Sequence, residues 1–174
     1  MKLYMKGVDY LNKLVGIVVG LMLGAMSILI IAQVISRFLI DIPLTWSEEA
    51  ARYLMIYSVF LGASLALRNH RLIAIEVVSE LVKPKIRKVL RITVLVISII
   101  FCAMLLFKGI DIMEIVSRQK SAALRIPMDI PYMAIPIGAA LMIINAIACI
   151  IEFWTTEDVD TSEATEALKA GEQL

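Results

Sequence analysis

Two stretches of this chain, Leu14 to Ser36 and Ile130 to Ile151, each run for more than twenty residues without a charged side chain. An α-helix rises about 1.5 Å per residue, so about 20 apolar residues cross the ~30 Å hydrocarbon core of a bilayer. Both stretches are long enough to span a membrane. Composition points the same way: 60% of the 174 residues are hydrophobic and 19% charged, where soluble domains are roughly half apolar and about a quarter charged. The formal net charge of +1 provides no global attraction to nucleic acid, which excludes nucleic-acid binding. Cys102 and Cys149 lie in apolar runs with no Cys or His at metal-ligand spacing, so they read as small core residues.

Two further segments, Tyr53 to Leu67 and Ile92 to Phe107, are shorter between charges and reach spanning length by borrowing flanking residues whose charged heads snorkel to the interface. The expected fold is an all-α integral membrane protein with four transmembrane helices over 14–36, 48–68, 90–113 and 130–152. Residues 1–13 form an arm before them and residues 153–174 an acidic tail, expected without structure because it holds Glu157, Asp158, Asp160, Glu163 and Glu166 and almost no apolar anchor. Span one is too long for a signal-peptide core and lacks an Ala-x-Ala cleavage site, so it reads as a retained anchor. Eleven Lys and Arg residues fall on the N-terminal side of the spans and six on the other, which predicts that both termini are cytoplasmic.

Between spans two and three, Ile73, Val77, Val78, Leu81 and Val82 recur at helical spacing opposite Glu76, Ser79, Glu80 and Lys83. A short interfacial amphipathic helix, stopped by Pro84, is expected there, with Lys83, Lys85, Arg87 and Lys88 meeting anionic headgroups at the cytoplasmic lipid interface. A solvated connector is the other reading. The central stretches of the spans hold neutral polar residues, Gln33, Ser36, Ser58, Ser64, Thr93, Ser98 and Asn145, suited to hydrogen bonds between helices. Lys108, Asp111, Glu114 and Arg118 are expected as a charged collar where a tilted span three leaves the bilayer. His70 is the only histidine, so paired axial haem ligands are impossible within the chain. There is no phosphate loop, zinc motif or nucleophile-base pair, hence no catalytic residue, metal site or cofactor site to assign.

Gly16, Gly20 and Gly24 recur every four residues in span one and form a candidate helix-packing seam, either internal or facing another protein. The densest chemistry lies at Thr45-Trp46-Ser47-Glu48-Glu49, followed by Arg52 and Tyr53. Helix-start physics accounts for it: Thr45 and Glu48 have capping-box spacing, two carboxylates sit at the positive end of the helix dipole, Trp46 suits the headgroup level, and Glu48 and Arg52 are an i,i+4 pair. Two adjacent carboxylates beside Trp and Arg equally make a docking point for a partner.

Three blocks resemble the small transmembrane subunit of tripartite ATP-independent periplasmic (TRAP) transporters, the DctQ/SiaQ-like family. They are Ile35-Ser36-Arg37-Phe38, Trp46 to Tyr53 continuing to Phe60-Leu61-Gly62-Ala63, and Leu124-Arg125-Ile126-Pro127 followed by Tyr132 to Gly138. The likeness runs from span one to span four. Two departures stand out: Leu72-Ile73-Ala74-Ile75-Glu76 replaces a His-Ile-x-Val-Asp-like run, with His70 two residues early, and Asp129 takes the place of an aromatic residue. The resemblance implies a non-catalytic subunit of a bacterial or archaeal inner membrane that braces a large (DctM/SiaM-like) permease subunit. That assembly takes up organic acids with sodium and an extracytoplasmic (DctP/SiaP-like) binding protein, sodium being bound in the large subunit and membrane lipids surrounding both. It also makes Arg37, Trp46, Glu48, Glu49, Arg52 and Tyr53 candidates for subunit contact or positioning. The alternatives are an autonomous homo-oligomeric channel or exporter and an anchor for a redox enzyme.

Overall fold

The computed structural model of the chain describes residues 2–41, 44–68 and 84–171, with side chains described over 4–39, 41, 44–68, 90 and 92–152. In chain order, α1 (Lys2–Ile35) widens into a π-helical turn (Ser36–Ile40), and α2 (Thr45–Arg68), α3 (Pro84–Val116), α4 (Asp129–Tyr132) and α5 (Ala134–Gly171) follow. Four helical stretches are long and apolar enough to cross a membrane: Tyr4–Leu39, Thr45–Arg68, Ile92–Val116 and Asp129–Glu152, the last joining α4 to α5. The all-α, four-span reading of the sequence stands. The expected interfacial helix, with His70 and Lys83, lies outside the described residues. Lys85, Arg87 and Lys88 fall on the first turns of α3, and their side chains are outside the description. Pro84 opens α3, where a missing N–H costs nothing because the first turn has no partner for it.

Both ends of the chain are more helical than expected. The arm over 1–13 is not a separate segment: α1 begins at Lys2, and Val8, only 4% exposed, belongs to the core. The tail continues α5 as far as Gly171. Its run Glu163-Ala164-Thr165-Glu166-Ala167-Leu168-Lys169-Ala170 is rich in strong helix formers, and low hydrophobicity does not by itself end a helix already nucleated by the span before it.

The helices form a slab in which α2 packs between α1 and α5, and α5 between α2 and α3. The inner position of α5 follows from its small residues: Ala134, Ala139, Ala146, Ala148 and Cys149 are almost inaccessible and let neighbouring backbones come close. Ser47, Ala51, Ser58, Leu61 and Ser64 supply the matching buried stripe of α2. Pro136 cannot donate to the Tyr132 carbonyl, so the last span breaks at Met133 between α4 and α5. The Met133 N–H still reaches Asp129 O at 2.9 Å and the Ile137 N–H reaches Met133 O at 3.2 Å, which holds the two pieces together.

The closest helix approaches use glycines that spacing did not reveal. A Cβ on Gly138 would lie 2.6 Å from Phe60 Cβ of α2, and one on Gly109 would lie 3.1 Å from Pro136 Cδ of α5. The anticipated seam on α1 is engaged only at Gly16, near Leu65, while Gly20 and Gly24 have open space around them. The apolar window of α1 buries none of its residues, leaving Ile17, Leu21, Ile28 and Ile31 on an open face.

Replacing helical Gly with Ala gains roughly 0.5–1 kcal/mol of backbone entropy, but overpacking a tight contact costs about 1–3 kcal/mol. Gly138→Ala is therefore expected to lower the thermal midpoint of the detergent-purified protein, and Gly20→Ala and Gly24→Ala to leave it unchanged or raise it slightly. A melting series by static light scattering or intrinsic fluorescence checks the order.

Candidate subunit-interface site

The polar residues gather at the two ends of the slab. At one end, the first turns of α2 face the segment 117–128 that links α3 to α4. That segment folds on itself: Ser121 N–H donates to Ile126 O at 2.9 Å, Met128 N–H to Gln119 O at 3.0 Å, and Ile126 N–H to Ser121 Oγ at 3.2 Å. Glu49 closes the turn from outside, since its Oε2 accepts the backbone N–H groups of Ala123 at 2.8 Å and Leu124 at 2.9 Å. The Tyr53 hydroxyl donates to Glu49 Oε1 and lies 3.6 Å from Met128 Sδ, and one turn further the Tyr57 hydroxyl donates to Ile130 O at 2.6 Å. Glu49, Tyr53 and Tyr57 stand at i, i+4 and i+8, one face of α2, and together hold the loop and the start of the last span. Beside this latch lies a groove of about 590 Å³ lined by residues that include Arg52, Ile56, Tyr132 and Ile135. Arg125, next to the two clamped N–H groups, has φ 52. Such a backbone state costs a non-glycine residue of order 1 kcal/mol or more and persists only where surrounding contacts impose it.

The adjacent Glu48 has a different fate. It faces α1, taking a 3.5 Å contact from Gln33 Nε2 and a 3.4 Å ion pair with Arg52, and its side chain is 59% exposed. Among the described residues the capping box expected between Thr45 and Glu48 does not form, because α2 already starts at Thr45, which leaves Leu44 at the cap position; the Ser47 hydroxyl donates to Leu44 O at 2.8 Å. Trp46 and Arg52 are exposed as a headgroup-level or docking residue would be. Arg37, on the π-helical turn, shares a small polar cleft of about 330 Å³ with Gln33, Asp41 and Glu48. Of the six predicted contact residues, the structure thus turns Glu49 and Tyr53 inward as a latch and leaves Arg37, Trp46, Glu48 and Arg52 on the surface.

At the opposite end, sequence reasoning missed a clasp. Arg68, closing α2, donates to Asp9 of α1 at 2.8 Å and to Glu152 of α5 at 2.5 Å, and only 11% of its side chain is exposed. One turn deeper, Asn12 and Asn145 form a reciprocal amide pair at 2.7 and 2.8 Å, and Asn145 also donates to Ser64 O at 2.8 Å. Asn145, flagged in the sequence for packing, is 1% exposed and joins three helices. The partners stand 59 to 133 residues apart in the chain, so local spacing contained no signal for them. Three charges at corresponding span ends, Asp9, Arg68 and Glu152, were the available hint. Because Asp9 and Glu152 meet the same guanidinium, the first and last spans share a membrane face at this end.

A multi-pass helical membrane protein follows, in which Asn145 and Arg68 fasten the helices to one another and Glu49 fastens one connecting loop. The family model for tripartite ATP-independent periplasmic transporters, DctQ component, matches residues 26–156, and the chain belongs to that family. That family is a component of transporters. The chain is similar to the sialic acid TRAP transporter permease protein SiaT of Haemophilus influenzae, at 39% identity over 45% of this chain and 13% of that protein. It is similar also to the isethionate TRAP transporter permease protein DctMQ of Oleidesulfovibrio alaskensis, at 28% identity over 58% of this chain and 16% of that protein. With the C4-dicarboxylate TRAP transporter small permease protein DctQ of Vibrio cholerae the identity is 24%, over 71% of this chain and 64% of that protein. The chain thus spans only a small part of the first two relatives and just under two thirds of the third.

The two neighbouring carboxylates should separate experimentally. Glu49→Ala frees two backbone N–H groups and a phenol, and trypsin cleavage after Lys120 and Arg125 in the purified protein is expected to accelerate roughly tenfold as the loop opens locally. Glu49→Gln keeps an oxygen for both N–H groups and an amide that can donate to Tyr53, so it stays near wild type. Glu48→Ala leaves the cleavage rate unchanged, because an exposed i,i+4 pair holds nothing else in place.

Proposed function

We propose that this chain is the small membrane subunit of a TRAP-type secondary transporter, bracing a large permease subunit during sodium-driven, binding-protein-dependent uptake of an organic acid. The observation that carries the reading is the family match over residues 26–156 of a chain in which the buried Asn145 amide and the Arg68 guanidinium bond to other residues of the chain. Groups that conduct a solute must exchange partners with it, whereas Asn145, Arg68 and Glu49 are committed to other residues of the chain. A brace needs packing surfaces and fixed ends, and those are what the fold supplies. The names of the relatives, with sialic acid, isethionate and C4-dicarboxylate, support an organic anion as cargo, and a carboxylate is the first class to try. Two of those relatives extend far beyond the part that this chain matches and are named permease proteins, which supports a large permease as partner. The excess of Lys and Arg on the side of the termini supports an orientation with the Arg68 clasp at the cytoplasmic face of the plasma membrane and the Glu49 latch at the outer face, within reach of a soluble binding protein.

Reconstitution tests this. With the large permease subunit, the binding protein and an inward sodium gradient, liposomes containing the chain are expected to accumulate a labelled carboxylate or sulfonate. Liposomes lacking it should take up at least about tenfold less, as expected when a partner that fixes the active geometry is removed. Uptake that is unchanged without the chain, or selective solute flux through the chain alone, overturns the reading.

A further inference from the structure

The collar anticipated where span three leaves the bilayer lies deeper than its place in the sequence suggests. Gly109 abuts Ile135 and Pro136, and Pro136 is the seventh residue after Asp129, where the last span begins. Cys102 Sγ lies 3.9 Å from Met142 Sδ further along, so α3 and α5 keep that antiparallel register. At 1.5 Å per residue Lys108 therefore sits about 10 Å inside the outer end of this 24-residue span, or about 7 Å inside a ~30 Å hydrocarbon core centred on it. Its ammonium pairs with Asp111 at 2.9 Å, and the two side chains are 75% and 60% exposed on the side of α3 turned away from α5. Around them the same face shows Phe101, Met104, Phe107 and Ile115, all exposed.

An ion pair on an apolar face at this depth is costly against acyl chains. Snorkelling relieves it poorly, because Cα–Cβ bonds of α3 tilt toward its N-terminus, away from the nearer interface, and because the Lys108 ammonium is held by a carboxylate only one turn on. The open face of α1, by contrast, carries no charge across its central turns, and its Ser27 hydroxyl is bonded to Leu23 O at 2.9 Å, which suits lipid.

We propose that this face of α3 is the contact surface for a membrane-spanning helix of the large permease subunit, and that the partner helix presents a polar or charged side chain to the Lys108–Asp111 pair. The inference rests on the brace reading and names the surface through which bracing acts. Aromatic and methionine side chains around a central charge pair form an apolar rim that excludes water and lipid, the arrangement in which a polar contact between helices specifies register and partner.

The test uses the chain co-expressed with its large subunit and purified through a tag on the chain. Two variants are compared with wild type: the charge swap Lys108→Asp with Asp111→Lys, which preserves composition and an i,i+3 pair, and the double change Lys108→Leu with Asp111→Leu, which suits lipid better. Both are expected to remain monodisperse when expressed alone, yet to recover at least about tenfold less large subunit, as when a desolvated charge loses its partner. If both variants recover the large subunit at the wild-type level, the face lies against lipid and the proposal is overturned. It is equally overturned if the variants instead break up a homodimer of the chain. Failure of the wild-type chain to recover any large subunit refutes the brace reading itself, an outcome visible without the variants.

Discussion

Hydrocarbon offers no hydrogen bonds, so an amide or charged side chain inside a helix bundle, too polar to be satisfied by its own helix as a serine hydroxyl can be, finds its partner on a neighbouring helix, and it does so at one register only. Asn145 shows the consequence. Its amide exchanges two bonds with Asn12 on α1 and donates a third to the Ser64 carbonyl on α2, so that sliding any of the three helices by one residue breaks the set. Arg68 repeats the constraint at the end of α2, where one guanidinium ties Asp9 to Glu152. With two such ties among the same three helices, both rotation and axial position are specified at that end.

The far end is held differently because the chain there must also leave and re-enter the helical slab. α3 joins the slab through Gly109 against Pro136, an approach that a side chain at 109 would crowd, and α2 meets α5 at Gly138 against Phe60. Once those levels are set, the segment 117–128 must return over the start of α2. Its backbone N–H groups at Ala123 and Leu124 would otherwise face a partly apolar groove, and the Glu49 carboxylate satisfies both. The positive φ of Arg125 is the local cost of that closure.

What could be read in the sequence divides along physical lines. Spans are one-dimensional quantities, lengths of apolar chain between charges, and four of them emerged within a few residues except where α1 extends back to Lys2. Family resemblance likewise resides in contiguous blocks. Contacts are three-dimensional: nothing in the spacing of Asn12 and Asn145, which are 133 residues apart, announces a shared bond. Glycine spacing is silent on internal packing for the same reason. Three glycines at i, i+4 and i+8 on α1 form a visible stripe that meets the rest of the chain only at Gly16, whereas the tight internal contacts use Gly109 and Gly138, isolated residues whose partners are set by the fold.

The site itself turns on a single residue step along α2. Consecutive residues of an α-helix point about 100° apart, so Glu48 and Glu49 meet different neighbours within the chain although both line the groove beside the latch. Glu49 points to the loop and is consumed by it; Glu48 points to α1 and remains with Arg52, Gln33 and the exposed Trp46 beside it. The motif that reads as one acidic docking point is therefore two devices placed back to back. One determines the shape of the connecting loop, and the other offers the surface. Tyr53 falls with the first because it lies four residues from Glu49, and Arg52 with the second because it lies four from Glu48. Helical periodicity, already present in the sequence, sorts the whole cluster once the position of the loop is known.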